Sequence, residues 1–443
     1  MKHIKAKNAA LQTPCLILLC GLLGASAAFG TDVLRVAALP VLAFLILTGD
    51  EADDLLVYAA LIPYAGLCEI SGYNLLFACL LFSCGKLLLA GRKKRLHTAG
   101  WAGLMLFIGM TIVQDVLYVS VGRLLYLESI LCYFSLAVLF LPISKIQVYR
   151  LQLTLIGSLF SAVLFTLLGS LGAGIFSARF GEQLRALGGA MGLPVYCLLI
   201  LSLLAQSYLC GLRTIRGRVL CLALMIFAGL AGVLTQSRVY LLGLLILAAA
   251  VLLCMGKGRT ARILQLILCA AGAVLLFWLF FPALFGQLTD AVYLRLREDA
   301  GSGRLDIYRD CLYYLWEHPL RLFFGSGAFH YVEIGVQEGY RFSAMAHNLY
   351  LDLLMSWGLA GYGYMGVLLF TFRNRLKAVF PRRVTMLQLL PVLALAGCFL
   401  TEGTFQYYNV YLYLLVLLVN LYGWPSGMPV DHPVRAGWKE NSA

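Results

Sequence analysis

Apolar runs of about 17–25 residues recur along this chain, the length that spans the hydrocarbon core of a bilayer. About fourteen can be marked, at approximate positions 11–30, 33–48, 55–70, 73–90, 100–119, 123–142, 151–175, 190–210, 218–236, 239–255, 262–285, 347–370, 385–401 and 405–423. Strands of a membrane barrel alternate apolar and polar residues over about ten positions, and these runs do not alternate. The pattern predicts an all-α integral membrane protein of about 12–14 transmembrane helices with one large extracytoplasmic loop carrying amphipathic helices. The runs at 33–48 and 55–70 are short, and each is expected as a full or a partial span. Only 12% of the residues are charged, against roughly 25% in soluble domains, too few to cover a water-facing surface.

Charge placement sets the expected topology, because Lys and Arg accumulate on cytoplasmic loops. The clusters are Lys2/Lys5/Lys7, Arg92-Lys93-Lys94-Arg95, Lys145/Arg150, Arg213/Arg216/Arg218, Lys257/Arg259/Arg262 and Arg373/Arg375/Lys377/Arg382/Arg383. With the N-terminus inside and the spans as marked, every cluster falls on the cytoplasmic face. The expectation is a multi-pass protein of the plasma (inner) membrane. The formal net charge of +13 then reads as a topology signal, and no nucleic-acid partner is expected, since no basic domain stands clear of the membrane. The basic N-terminus, an apolar run and Ala25-Ser26-Ala27 have the look of a cleavable signal peptide. An uncleaved first helix is expected instead, because spans continue through the chain. The thirteen cysteines are scattered with no CxxC pair, so neither a zinc or redox motif nor a disulfide framework is expected.

The extracytoplasmic face then receives Arg179 to Arg185, Ser237-Arg238, a loop at 286–346 and Glu402. The expected units are a helix bundle at 1–285, the loop at 286–346, C-terminal helices at 347–423 and a cytoplasmic tail at 424–443. The loop is short for an independent domain but long enough for helices that lie on the membrane. Ser302 is placed to cap a helix starting near Arg304. Leu305, Tyr308, Leu312, Leu315 and Trp316 would form its one apolar face, with Trp316 at headgroup level.

Several residues could carry chemistry. Arg238 joins two apolar runs, and an arginine at that depth is either paired for function or snorkels to headgroups. Arg304 opens a helix, where a guanidinium fork and free backbone N–H groups suit a phosphate; a surface ion pair with Asp306 or Asp310 is the plainer reading. His347 is placed for proton transfer at a membrane face, or is a helix-end histidine satisfied by backbone, and Asn348 follows it. Gly325 and Gly327 allow close approach of a ligand, or mark a turn after Pro319. Glu402 could pair with an arginine or contact a sugar. There is no Walker A loop, no GxGxxG entering a helix, no HExxH and no DxD pair in an outer loop. No metal or cofactor is expected.

Three pieces in order resemble the O-antigen ligase and polysaccharide polymerase superfamily. They are Ser237-Arg238; then Gly303-Arg304, Trp316, Pro319 and Gly325-Ser326-Gly327; then His347-Asn348-Leu349-Tyr350-Leu351 with Gly358-Leu359-Ala360-Gly361. The resemblance covers about 140 residues, from roughly 230 to 370. It departs from the common pattern where Val239 and Tyr240 stand in place of glycines after the Ser-Arg pair. The resemblance implies a metal-independent, inverting glycosyl transfer from a polyprenyl-diphosphate-linked glycan to a glycan, lipid or protein acceptor. Arg238 and Arg304 would hold the diphosphate, and His347 would act on the acceptor hydroxyl. Asn348, Gly325, Gly327 and Glu402 are candidate substrate-binding residues. Repeat-unit polymerisation is the expected reaction by fold-level analogy. Ligation to a final acceptor, or a flippase or transporter for lipid-linked glycans, is the alternative. A flippase should carry charges deep within several spans and repeat symmetry, whereas the notable charges here gather on one face. Chain-length regulators or flippases are conceivable partners.

Overall fold

The computed structural model describes residues 2–70, 73–91, 98–118, 121–172, 189–210, 214–235, 237–254, 256, 259–283, 285–286, 289–290, 303–327, 330–344, 346–381, 384–400 and 409–423. Arg179 to Arg185, Ser302, Glu402 and the tail at 424–443 lie outside the described residues.

Every expected span coincides with helix. The first eleven are α1 Lys2–Phe29, α2 Asp32–Thr48, α3 Glu51–Leu61, α4 Leu75–Gly91, α5 Thr98–Tyr118, α6 Val121–Phe140, α7 Val148–Gly172, α8 Gly189–Cys210, α9 Ile215–Leu234, α10 Arg238–Leu253 and α11 Thr260–Phe280. The loop contributes α12 Arg304–Glu317, α13 Pro319–Phe324 and α14 His330–Glu338, followed by α15 Leu349–Val379, α16 Met386–Phe399 and α17 Asn409–Gly423. The short third run is α3 continued by a 3-10 segment, Ile62–Cys68. Among the described residues the sole sheet is a two-residue ribbon, Glu69–Ile70 against Tyr73–Asn74.

Among the described residues, six helical segments are long and apolar enough to cross a membrane: Leu11–Phe29, Val148–Ser170, Gly192–Cys210, Ile215–Leu234, Thr260–Phe280 and Leu349–Val379. Six shorter apolar helices accompany them. The protein is an all-α, multi-pass membrane protein. α11 makes the solvent plain: Ile263 is its one buried side chain, and its exposed residues include Leu268, Leu276, Trp278 and Phe280. A helix apolar all round with one buried residue faces lipid, not water. Charge inside the bundle is paired, as hydrocarbon requires. Asp54, buried on α3, accepts from Lys86 Nζ at 2.8 Å and from Ser83 Oγ at 2.7 Å.

The two ends of the bundle differ in chemistry. At one end Arg375 Nη2 donates to the Leu141 carbonyl at 2.6 Å, Arg262 Nη1 to Leu209 at 3.0 Å, and Lys145 lies 3.8 Å from Asp50. The two arginines sit where α6 and α8 finish, satisfying carbonyls that a helix C-terminus leaves open, and Lys145 faces the acidic start of α3. At 1.5 Å per residue, Arg375 lies about 40 Å along α15 from its start. The loop helices cluster at that start. The Leu400 carbonyl, past the end of α16, accepts from Asn348 Nδ2 at 3.2 Å and from the Tyr308 hydroxyl at 3.4 Å.

A break in α15 joins loop to bundle. Gly358 has φ 60° and ψ −162°, a region essentially reserved for glycine. The carbonyls of Met355 and Ser356, just before the break, accept from Ser326 N at 2.8 Å and Gly327 N at 2.9 Å. Gly325 has φ 75° and ψ −175°, and a Cβ there would lie 2.2 Å from the Ser356 oxygen. The Gly-Ser-Gly run is therefore a splice into a broken membrane helix, held on its other side by Gln114 Nε2 donating to the Phe324 carbonyl.

Two local expectations are corrected. The cap of α12 is Gly303, left-handed at φ 69° with no side-chain cap bond. The expected single apolar face of α12 divides in two. Leu315 joins Cys311 and Tyr314 in a loop core with Tyr331, Phe342 and Met355. Leu305 and Trp316 are 70% and 82% exposed, and Leu312 is exposed beside them. The partner elements, α14 and the 3-10 turn Arg341–Ala344, cover one flank of a stripe too wide for them. The other flank is free to rest on the bilayer.

Candidate functional site

Arg304 is the first residue of α12 and His347 the second residue before α15. The fold brings them together strongly enough for one to act on the other's titration. Burial first, and the Arg304 guanidinium second, hold the His347 imidazole below its ordinary 6.5. The side chain is thus neutral at pH 7 and able to accept a proton. Asp306 and Asp310, the sequence-level partners for Arg304, are engaged elsewhere. Asp306 meets Arg341 and, at 3.5 Å, Arg309; Asp310 accepts from the Arg341 backbone N at 3.2 Å.

His347 is the single non-glycine residue with positive φ, 49°, among the described residues. That left-handed turn is enforced on both sides. Behind it, Asn348 Oδ1 accepts from Tyr350 N at 3.0 Å and Leu351 N at 3.3 Å, an N-cap that starts α15, while its Nδ2 reaches Leu400. Ahead of it, the Ala346 N–H donates to Asp352 at 3.1 Å. Asn348 thus spends its amide on the corner that carries His347.

Arg238 is half-buried at the first position of α10, after a tight corner with α9. The residues replacing the usual glycines do not obstruct this corner, because the space comes from the other strand of the turn. A Cβ on Gly232 would lie 2.1 Å from the Tyr240 ring, and the Tyr240 hydroxyl donates to the Gly229 carbonyl at 3.0 Å. α10 packs against α16, with Ile246 against Gly397. α10 runs from Arg238 to Leu253, and the helix that follows starts beside the Arg262–Leu209 contact at the cationic end, so Arg238 lies at the opposite end, where Leu400 and Asn348 meet. Three sequence candidates, Arg238, Arg304 and His347, therefore share one end. Gly325 and Gly327 stand beneath the loop with their N–H groups given to Arg321 and Ser356 carbonyls. Glu402 lies outside the described residues.

Sequence reasoning passed over Asp352 and Tyr331. The signal was present: Asp352 is an acid one turn into an apolar helix, five residues after the histidine.

The electrostatics carry a pH prediction. A proton on His347 removes the acceptor, so kcat/KM is expected to fall as pH drops below 6.5 and to be flat above it until another group titrates. Arg304→Gln removes a neighbour that lowers the imidazole pKa, so in the residual activity the acid limb should move upward. Rate–pH profiles of membranes carrying each protein check this; an unmoved limb would detach His347 from Arg304.

Neither the curated proteins nor the solved structures gave a match to this chain. Residues 222–365, about one third of the chain, match the family described as O-antigen ligase, and the span takes in Arg238, the loop, His347 and the break at Gly358. That region, which carries Arg238, Arg304 and His347, is therefore similar to the O-antigen ligase family.

Proposed function

We propose that this protein transfers a glycan from a polyprenyl diphosphate to an acceptor hydroxyl during surface polysaccharide assembly, on the extracytoplasmic face of the plasma membrane, with its N-terminus inside. The observation that carries the reading is a half-buried His347 at a left-handed corner, its imidazole held below its ordinary value by burial first and by the Arg304 guanidinium at a helix start second. In this reading His347 takes the proton of the acceptor hydroxyl as its oxygen attacks the anomeric carbon. The bond from that carbon to the diphosphate oxygen breaks, and the leaving polyprenyl diphosphate keeps the electron pair. Backside attack inverts the anomeric centre. Charge grows on the leaving diphosphate, where Arg304 and Arg238 stabilise it in place of a metal ion. Asn348, Gly325 and Gly327 support this site through its framework; Glu402 remains a candidate contact to sugar.

The reaction proposed is repeat-unit polymerisation, with another lipid-linked glycan as acceptor. The family description favours a second reading, ligation of a finished glycan to its final acceptor. The size profile of surface and lipid-linked glycan in the host separates them. In Arg304→Ala, at matched membrane level, a polymerase leaves single lipid-linked units, and a ligase leaves full-length chains on the lipid. Arg304→Ala and Arg238→Ala are each expected to lose roughly 10²–10³-fold in rate, the scale of removing one stabilising donor. Lysine at either position is expected to rescue little, because it lacks the planar fork. An unchanged profile in both variants would return the protein to the transporter reading.

A further inference from the structure

The carboxylate of Asp352 is 2% exposed, inside the loop core and within the first turn of a membrane helix. Burying a charge there is costly unless its hydrogen bonds serve something. Its Oδ1 accepts from two places at once, the Ala346 backbone N–H at 3.1 Å and the hydroxyl of Tyr331, which is itself buried on α14. Ala346 immediately precedes His347, whose left-handed φ of 49° is unfavourable for a residue with a Cβ. Such a conformation persists only where its surroundings over-determine it. Asn348 ties the corner to the first turn of α15 through Tyr350 N and Leu351 N, and Asp352 ties down the N–H of Ala346 on the other side of His347, so the carboxylate closes the clamp.

We propose that Asp352 is a positioning residue, which with Tyr331 anchors the backbone N–H of Ala346, the residue before His347, and so holds the left-handed turn that aims the imidazole. This rests on the reading of His347 as the group acting on the acceptor. Tyr331 makes the clamp report on the loop: α14 must be seated before the carboxylate receives the Tyr331 hydroxyl. In this role Asp352 acts through the turn and not on the substrate.

The test uses the full-length protein in host membranes, which supply the native lipid-linked donor, with rates normalised to folded protein. Asp352→Ala is expected to lose about 100-fold in rate, and Tyr331→Phe roughly 3- to 10-fold. Asp352→Asn keeps an oxygen that can accept from both donors, so it should recover to within about tenfold of wild type. In a His347→Ala background, Asp352→Ala should add no further loss, as for residues that act as one unit. An Asn variant as inactive as the Ala variant would overturn the positioning role, since a lost acid–base group is not rescued by an amide. Full activity in Asp352→Ala, with His347→Ala inactive, would overturn the inference alone. Full activity in His347→Ala would overturn the site reading and this inference with it.

Discussion

Replacing His347 with alanine is expected to slow glycosyl transfer by roughly 10²–10⁴-fold, the usual contribution of a positioned general base, while the protein reaches the membrane at its normal level. The neutral imidazole is the group near Arg304 that can take a proton at pH 7. Alanine leaves the acceptor hydroxyl to lose its proton to water. The left-handed turn is a complication, because alanine pays the same backbone cost as histidine. His347→Asn is the informative companion: asparagine tolerates that conformation well, so the corner is kept and the base is lost. Both variants should be inactive in a glycan-forming membrane assay, with equal protease resistance of the loop. An active Asn variant would show that the turn matters and the imidazole does not.

The second large effect is on folding. Gly325→Ala and Gly358→Ala are each expected to destabilise the protein by about 2–6 kcal/mol, adding a glycine-only backbone of ~1–3 kcal/mol to an overpacking cost of ~1–3 kcal/mol. A Cβ at Gly325 meets the Ser356 carbonyl, and one at Gly358 lies 2.5 Å from the Phe323 carbonyl carbon. Both obstacles are backbone, which cannot swing aside. Gly366→Ala, further along the same helix with nothing within 4 Å, should be neutral or stabilising by about 0.5–1 kcal/mol. Thermal unfolding in detergent and protease sensitivity of the loop measure the contrast. Equal behaviour of the three variants would mean that the splice between loop and helix contributes little.

How much of this could be read from the residues depends on what each feature needs. Helix positions were legible because apolar runs of span length have one secondary structure open to them once alternation is excluded. The start of α12 at Arg304 was legible from a polar Gly-Ser-Gly-Arg run entering an amphipathic one. The cap was not, because serine and glycine both serve, and the choice depends on the chain direction entering the helix. The apolar face of α12 was misjudged for a related reason: spacing gives a stripe, and only tertiary partners decide which half of it is buried. Gly325 and Gly327 left close approach of a ligand and a turn after Pro319 both open, since nothing in a GxG run says that a helix thirty residues on will break and offer its carbonyls. Asp352 was hidden by its own pairing. An acid in an apolar helix is informative only once the peptide it holds is known.

The splice at Gly358 also orders the protein's assembly in time. The loop helices leave the ribosome before α15 does, yet the carbonyls that receive Ser326 and Gly327 belong to α15, and so does the carboxylate that receives Tyr331. A newly made loop must therefore remain incomplete until the following helix has entered the bilayer and bent. The geometry of the proposed site then forms only once α15 is in the membrane, so a chain arrested before α15 would carry every loop residue without the corner that holds His347.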